Sequence, residues 1–288
     1  MVKGRLKHLL VGELSLKRVM RSTLLVIVLT YVGMLLYALF FSDRIIFQPP
    51  SSDYRDTSAT VKLKSRDGVQ ISAVYLANPH ASYTILYSHG NAEDLATLAS
   101  ALEDIRLMGF SVFAYDYHGY GTSAGKPRES NTYEDEEAAY DYLIQVLRTR
   151  PDRIIALGRS LGGAMAIDLA SKKPLAGLIV ESSFLSAWRV ITRFPIFPFD
   201  KFRNIDKIRQ VHCPILVIHG RQDEVIRFRH GTKLFELANE PKMHLWVDGA
   251  GHNDLSIVAG DKYQQALLEF RDLLEGMRLV STGANKSI

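Results

Sequence analysis

Residues 153–166 read RIIALGRSLGGAMA, and their order decides how the rest of the chain is read. Arg153 to Leu157 is an aliphatic run of strand length, Gly158-Arg159-Ser160-Leu161-Gly162 is a glycine-flanked turn, and Leu161 to Ala166 is a run of small residues suited to a closely packed helix. Composition alone gives about 0.1 chance occurrences of G-x-S-x-G in a chain of this length, so the string carries weight through its surroundings. A serine on such a strand-to-helix turn sits in strained backbone and projects its hydroxyl past the carboxyl edge of a sheet. The first N–H groups of the following helix then face a developing oxyanion. Ser160 is the candidate nucleophile and Leu161 a candidate oxyanion donor.

A serine hydroxyl needs a base, and the base needs a carboxylate to orient it. Downstream, Pro214–Gly220 reads as a strand with Asp223 just past its end, and Met243–Val247 reads as the next, followed by the loop Asp248-Gly249-Ala250-Gly251-His252. Asp223 and His252 thus fall at the same sheet edge as Ser160. Glu224 and Asp248 compete with Asp223, which is preferred over either on strand-end geometry. His244 lies within a strand, His219 before a glycine turn, His212 before a strand and His8 in the N-terminal arm. Asp254 is expected to cap the helix after His252. A second oxyanion donor is expected from the loop Ser88-His89-Gly90-Asn91-Ala92, either the backbone N–H of Asn91, paired with that of Leu161, or that of Ala92. The acidic run Glu134–Glu137 reads as a solvated first helical turn.

Working outward, Thr60–Lys64 and Val69–Leu76 flank Asp67-Gly68 as a hairpin. Short apolar runs then alternate with helix-length amphipathic segments: Tyr83–Tyr87, Leu95–Met108, Phe110–Tyr115, Tyr133–Leu147, Ile154–Leu157, Leu161–Ala170, Leu175–Val180 and so on to a last helix near Tyr263–Met277. This alternation predicts an α/β fold, a mostly parallel twisted sheet with helices on both faces, whose ligands bind beyond the carboxyl ends of the strands. One long interval, about residues 182–210, is expected to be a small lid insertion. It holds Phe194, Phe197, Phe199 and Phe202 interleaved with prolines, either a satellite core or an acyl-binding lid in which Phe194, Phe197 and Phe199 touch substrate.

The N-terminus differs from the body. From Ser22 to Ser42 no residue is charged, and a helix of that length is roughly 31 Å long, close to the hydrocarbon core of a bilayer. Six basic residues, Lys3, Arg5, Lys7, Lys17, Arg18 and Arg21, precede this run, while Arg44 and Arg55 follow it. The bias puts the N-terminus in the cytoplasm and the body on the other side, periplasmic if the source is bacterial. The first 21 residues carry +5 of the net +4, which leaves the body near neutral and removes nucleic acid as a partner. One cysteine, Cys213, excludes an internal disulfide and a cysteine-based metal cluster, and no nucleotide or metal motif is present, so no cofactor is expected. The expected organisation is a basic arm (1–21), a transmembrane helix (22–42), a linker (43–59), a catalytic domain (60–278) and a flexible tail (279–288).

Five blocks, LYSHGNAED (86–94), DYHGYGTSAGKPRE (116–129), GRSLGG (158–163), VIHGRQDEVI (217–226) and WVDGAGHNDL (246–255), resemble the α/β-hydrolase superfamily. More closely, they resemble its membrane-associated bacterial serine hydrolases and the eukaryotic protein S-depalmitoylases. The resemblance implies the α/β-hydrolase fold, with Ser160 as nucleophile, His252 as base and Asp223 as its partner. Those depalmitoylases carry a cysteine-rich, lipid-modified N-terminus and act at the cytoplasmic face, whereas this chain has no cysteine before Cys213 and the charge bias puts its body on the other side. The expected function is a membrane-anchored serine hydrolase of acylated, apolar esters or thioesters. A peptidase of the same fold and a non-catalytic scaffold are the alternatives.

Overall fold

The computed structural model describes residues 16–52, 54–192 and 196–284. They fall into two units, one ending at Ile46 and a larger body beginning at Phe47. The first is the helix α1 (Leu16–Ile46), 31 residues, or about 46 Å at about 1.5 Å per residue. It is long and apolar enough to cross a membrane, and most of its apolar side chains between Leu24 and Phe40 are exposed. The helix starts before the uncharged run and ends after it, so Lys17, Arg18 and Arg21 of the expected basic arm are helical. Residues 1–15 of that arm, Phe194 of the aromatic insertion and the last four residues lie outside the described residues.

In the body, eight strands among the described residues form one sheet: β1 (Thr60–Lys64), β2 (Gln70–Leu76), β3 (Thr84–Ser88), β4 (Ser111–Tyr115), β5 (Ile154–Arg159), β6 (Gly177–Glu181), β7 (Ile215–Gly220) and β8 (Lys242–Val247). The spatial order is β1-β2-β4-β3-β5-β6-β7-β8. β2 runs antiparallel to both neighbours, and β3 to β8 are parallel. From β3 the chain goes to β4 on one side and then returns to β5 on the other. The connections that leave the carboxyl ends of β3 and β5 therefore run in opposite directions, which opens the crevice that such sheets use for ligands.

The helices of the body are α2 (Ala99–Leu107), α3 (Glu129–Gln145), α4 (Gly162–Lys172), α5 (Ala187–Ile191), α6 (Asn204–Lys207), α7 (Arg229–Leu237), α8 (Leu255–Ala259) and α9 (Asp261–Ala284). One core layer joins Ile85, Val112, Ile155, Leu157, Ile179 and Leu216 of the sheet to Leu102 and Ile105 of α2 and to Tyr263, Leu267 and Phe270 of α9. On the other side α4 packs on β5 and β6 and against α3. Central strands buried on both faces explain why Ile154–Leu157 and Ile215–Ile218 read as continuous apolar runs rather than alternations.

Three elements differ from the sequence reading. The helix expected over Leu95–Met108 is confined to α2, because Asp94 and Thr97 tie the preceding turn to themselves. The Asp94 N–H donates to Thr97 Oγ1 and the Thr97 N–H to Asp94 Oδ1, each at 2.9 Å. α3 starts four residues before the expected Tyr133, with the Asn131 side chain accepting from the Arg128 N–H at 2.7 Å. Glu134–Glu137 is therefore not a solvated first turn: Asp135 and Glu136 face inward and are buried. Each carboxylate has a partner, His118 Nδ1 at 2.7 Å from Asp135 and Ser88 Oγ donating to Glu136 at 2.9 Å. Finally, α9 continues to Ala284, so the tail expected from residue 279 is helical that far.

Candidate active site

The turn after β5 holds Ser160 at φ 53°, a left-handed backbone that a serine adopts only when its surroundings enforce it. Three hydrogen bonds enforce it here. The Ser160 N–H donates to the Glu181 carbonyl at 2.8 Å, and the Ser160 carbonyl accepts from Ser183 Oγ at 2.8 Å and from the Gly163 N–H at 3.2 Å. The flanking glycines are required by close approach. A Cβ on Gly158 would lie 2.3 Å from the Gly162 carbonyl oxygen, and one on Gly162 would lie 1.9 Å from that of Ser88. β5 and α4 thus meet β3 at backbone distance, bringing Ser160 beside the loop that follows β3.

His252 sits in the loop after β8, and its Nε2 lies 3.0 Å from Ser160 Oγ. Its Nδ1 is 2.8 Å from Oδ2 of Asp223, which follows β7. Asp223 Oδ1 accepts from the N–H groups of Val225 at 3.0 Å and Ile226 at 2.6 Å. Burial opposes the charge on Asp223, but hydrogen bonds from His219 and His252 and from the Ile226 backbone outweigh it and hold the carboxyl well below the usual carboxylate range. An ionised Asp223 fixes the His252 tautomer with its proton on Nδ1 and its lone pair toward Ser160. The competing carboxylates lie elsewhere. Glu224 accepts from the His252 backbone N–H at 3.4 Å, and the exposed Asp248 pairs with Arg221 at 2.9 Å. Asp254 stands at the N-cap of α8 but accepts from the Gly251 N–H at 2.7 Å instead of capping the helix with its side chain.

The loop after β3 faces the same turn. Asn91 Oδ1 accepts from Tyr120 Oη at 2.6 Å and from the Gln48 N–H at 2.9 Å, while Ala92 takes φ 58°. Beneath it His89 is buried, with Nδ1 2.7 Å from the Gly90 carbonyl, and burial pushes its pKa down to about 4, so the ring is neutral at pH 7. Leu161 heads α4, where first-turn N–H groups have no helical acceptor.

Phe197 and Phe199 stack on each other at 5.8 Å between centroids, and Trp188 meets Phe197 edge-on at 5.3 Å. Phe202 belongs to a separate buried cluster with Phe47, Tyr133 and Phe184. Two features of the site were not read from the sequence. His219 Nε2 lies 3.3 Å from Asp223 Oδ2, a second imidazole on that carboxylate; the four-residue spacing His219–Asp223 was its only signal. Arg159, the residue before the serine in that turn, is paired with Glu93 and Glu181. Among the described residues no group of three or more His, Cys, Asp or Glu is arranged to hold a metal ion.

A family model described as serine aminopeptidase, S33, matches residues 79–203. Esterases of known structure share the fold. One from Pyrococcus furiosus superposes with a TM-score of 0.66 at 19% identity, covering 77% of this chain and 98% of that one, and one from Exiguobacterium antarcticum with 0.57 at 15%, covering 73% and 98%. The sheet order, the serine turn and these likenesses define an α/β-hydrolase. The chain is 39% identical over 240 residues to alpha/beta hydrolase domain-containing protein 17B of Homo sapiens, covering 81% of this chain and 82% of that protein. It is 43% identical over 201 residues to the 17C protein of Mus musculus, covering 67% and 60%. The chain belongs to the alpha/beta hydrolase domain-containing protein 17 family.

Proposed function

We propose that this chain is a membrane-anchored serine hydrolase that cleaves carboxylic ester or thioester bonds of acylated, apolar substrates. The observation that carries the reading is the hydrogen-bonded run from Ser160 Oγ through His252 to Asp223, each residue on a loop at the carboxyl end of a different strand. Ser160 Oγ attacks the acyl carbonyl as His252 Nε2 takes its proton, and Asp223 stabilises the resulting imidazolium. The N–H groups of Leu161 and Asn91 receive the oxyanion. Collapse of the tetrahedral intermediate expels the alcohol or thiol with the proton from His252. Water, activated by the same imidazole, then releases the acid and restores the serine. The aromatic insertion, with Phe194, Phe197 and Phe199, binds the acyl chain, and α1 spans the bilayer with the body on the non-cytoplasmic side.

Labelling with a fluorophosphonate probe tests the assignment. The wild-type chain is expected to label and Ser160→Ala to lose both labelling and hydrolysis of p-nitrophenyl esters; full activity in Ser160→Ala overturns it. The serine aminopeptidase description of the matching family model favours a second reading, a peptidase using the same three residues. Chromogenic esters and aminoacyl amides compared on one preparation separate the two.

A further inference from the structure

Arg159 occupies the position before the candidate nucleophile, and its side chain is only 13% exposed. Its neighbours come from the loop after β3, from β6 and from the His252 loop. Nη1 bonds Glu93 Oε1, and the other oxygen of Glu93 accepts from the Gly90 N–H at 2.6 Å, inside the loop expected to hold the oxyanion. Nη2 donates to the His252 carbonyl at 3.0 Å and to Asn253 Oδ1 at 3.1 Å. Nε lies 3.4 Å from Glu181 Oε1, on the strand residue in register with Arg159. The Glu181 carbonyl in turn accepts the Ser160 N–H, and its other carboxylate oxygen accepts from Tyr263 Oη at 2.7 Å.

A guanidinium has five N–H donors in a rigid fork. Here that fork meets two carboxylates, a carbonyl and an amide oxygen. An arginine beside a nucleophile is often read as a receptor for an anionic substrate, but this one has its charge balanced by Glu93 and Glu181 and its donors turned toward protein oxygens. We propose that Arg159 is a positioning residue that joins the oxyanion loop, the serine turn and the histidine loop into one rigid unit, setting the distances among their reacting groups. A lysine would keep the charge beside Glu93 but, as a single point donor, would not span the His252 carbonyl and Asn253 together.

This inference rests on the serine-hydrolase reading, and the experiment separates the two. Arg159→Gln, Arg159→Lys and the charge-neutral double variant Glu93→Gln/Arg159→Gln are made in the full-length chain beside Ser160→Ala. Each is followed by ester kinetics, fluorophosphonate labelling rate and thermal unfolding. Displacing reacting groups by about an ångström lowers turnover by about 100-fold. Arg159→Gln is expected to lose about 10- to 100-fold in kcat and in labelling rate, with KM within about threefold of wild type and Arg159→Lys recovering part of the loss. The double variant removes one acid together with the one base, leaves Glu181 its hydrogen bond from Tyr263 Oη, and keeps the test open if Arg159→Gln does not fold. It is expected to unfold near the wild-type temperature and still show the kcat loss, because the shorter amide side chain in place of the guanidinium does not reach the His252 carbonyl. A folded Arg159 variant with wild-type kcat overturns the proposal, as does a rise in KM at constant kcat, which marks a substrate-binding arginine. Activity persisting in Ser160→Ala removes the serine reading and this proposal with it. An inactive Ser160→Ala beside a fully active double variant removes this proposal alone.

Discussion

Asp116 stands just past the carboxyl end of β4, and its proton makes stability depend on pH. It is fully buried, accepts from Tyr54 Oη and from the Leu95 N–H, and lies 3.5 Å from His89 Nε2. Burial, opposed by those two hydrogen bonds, pushes its pKa up to about 7. An unfolded aspartate releases its proton near about pH 3.9. Between these values the folded chain binds more protons than the unfolded chain, so stability falls as pH rises through that interval. The unfolding temperature of the body is expected to drop more steeply from about pH 5 to about pH 8 in the wild type than in Asp116→Asn. Calorimetry across that range checks this, and parallel slopes for the two chains refute it. Asp223 presents the opposite case, a carboxyl held ionised by two imidazoles and two backbone N–H groups. The two carboxyl groups are thus pushed in opposite directions, because hydrogen bonds outweigh burial at Asp223 and burial outweighs them at Asp116.

At the scale of elements, the aromatic insertion separates into parts with different expected roles. Phe202 has no exposed surface and meets Phe47, Tyr133 and Phe184. Truncating such a side chain costs about 3–5 kcal/mol, so Phe202→Ala is expected to lose that much in urea unfolding. Phe197 and Phe199 are only partly buried. Alanine at either is expected to cost less than about 1.5 kcal/mol while raising KM for long-chain p-nitrophenyl esters and leaving acetate esters unchanged. An unchanged chain-length profile rules out their part in acyl binding. The sequence spoke clearly about elements whose signal is local. The alternation from Ile85 to Val247 predicted the parallel sheet, and the strand exits at Ser160, Asp223 and His252 could be counted from apolar runs alone. It was silent where the deciding partner is distant. Nothing near Glu136 announces Ser88, and nothing near Arg159 announces Glu93 or the His252 carbonyl, because those pairs exist only once the sheet brings the ends of β3, β5 and β8 to one edge and α3 packs against it. The late start of α2, at Ala99 and not at the expected Leu95, is a third case: side-chain bonds of Asp94 and Thr97 overrode a favourable helical pattern.

For the whole molecule, the proposed span by α1 assigns the body to one side of a membrane, and that side can be measured. α1 is continuous from Leu16 to Ile46, so Lys17, Arg18 and Arg21 sit within its first two turns and Arg44 near its other end. Basic residues near a span are retained on the cytoplasmic side, and here they are concentrated before the uncharged run. A bacterial host expressing the full chain with alkaline phosphatase at its C-terminus is expected to show phosphatase activity, since that enzyme folds only outside the cytoplasm. The same chain fused to green fluorescent protein is expected to stay dark. Replacing Lys3, Arg5, Lys7, Lys17, Arg18 and Arg21 with neutral residues removes the bias and is expected to lower the phosphatase signal per molecule. A fluorescent fusion with no phosphatase activity in the wild-type chain places the body in the cytoplasm. In that case the charge argument fails for this chain, and the acyl substrate to seek is one presented at the inner face.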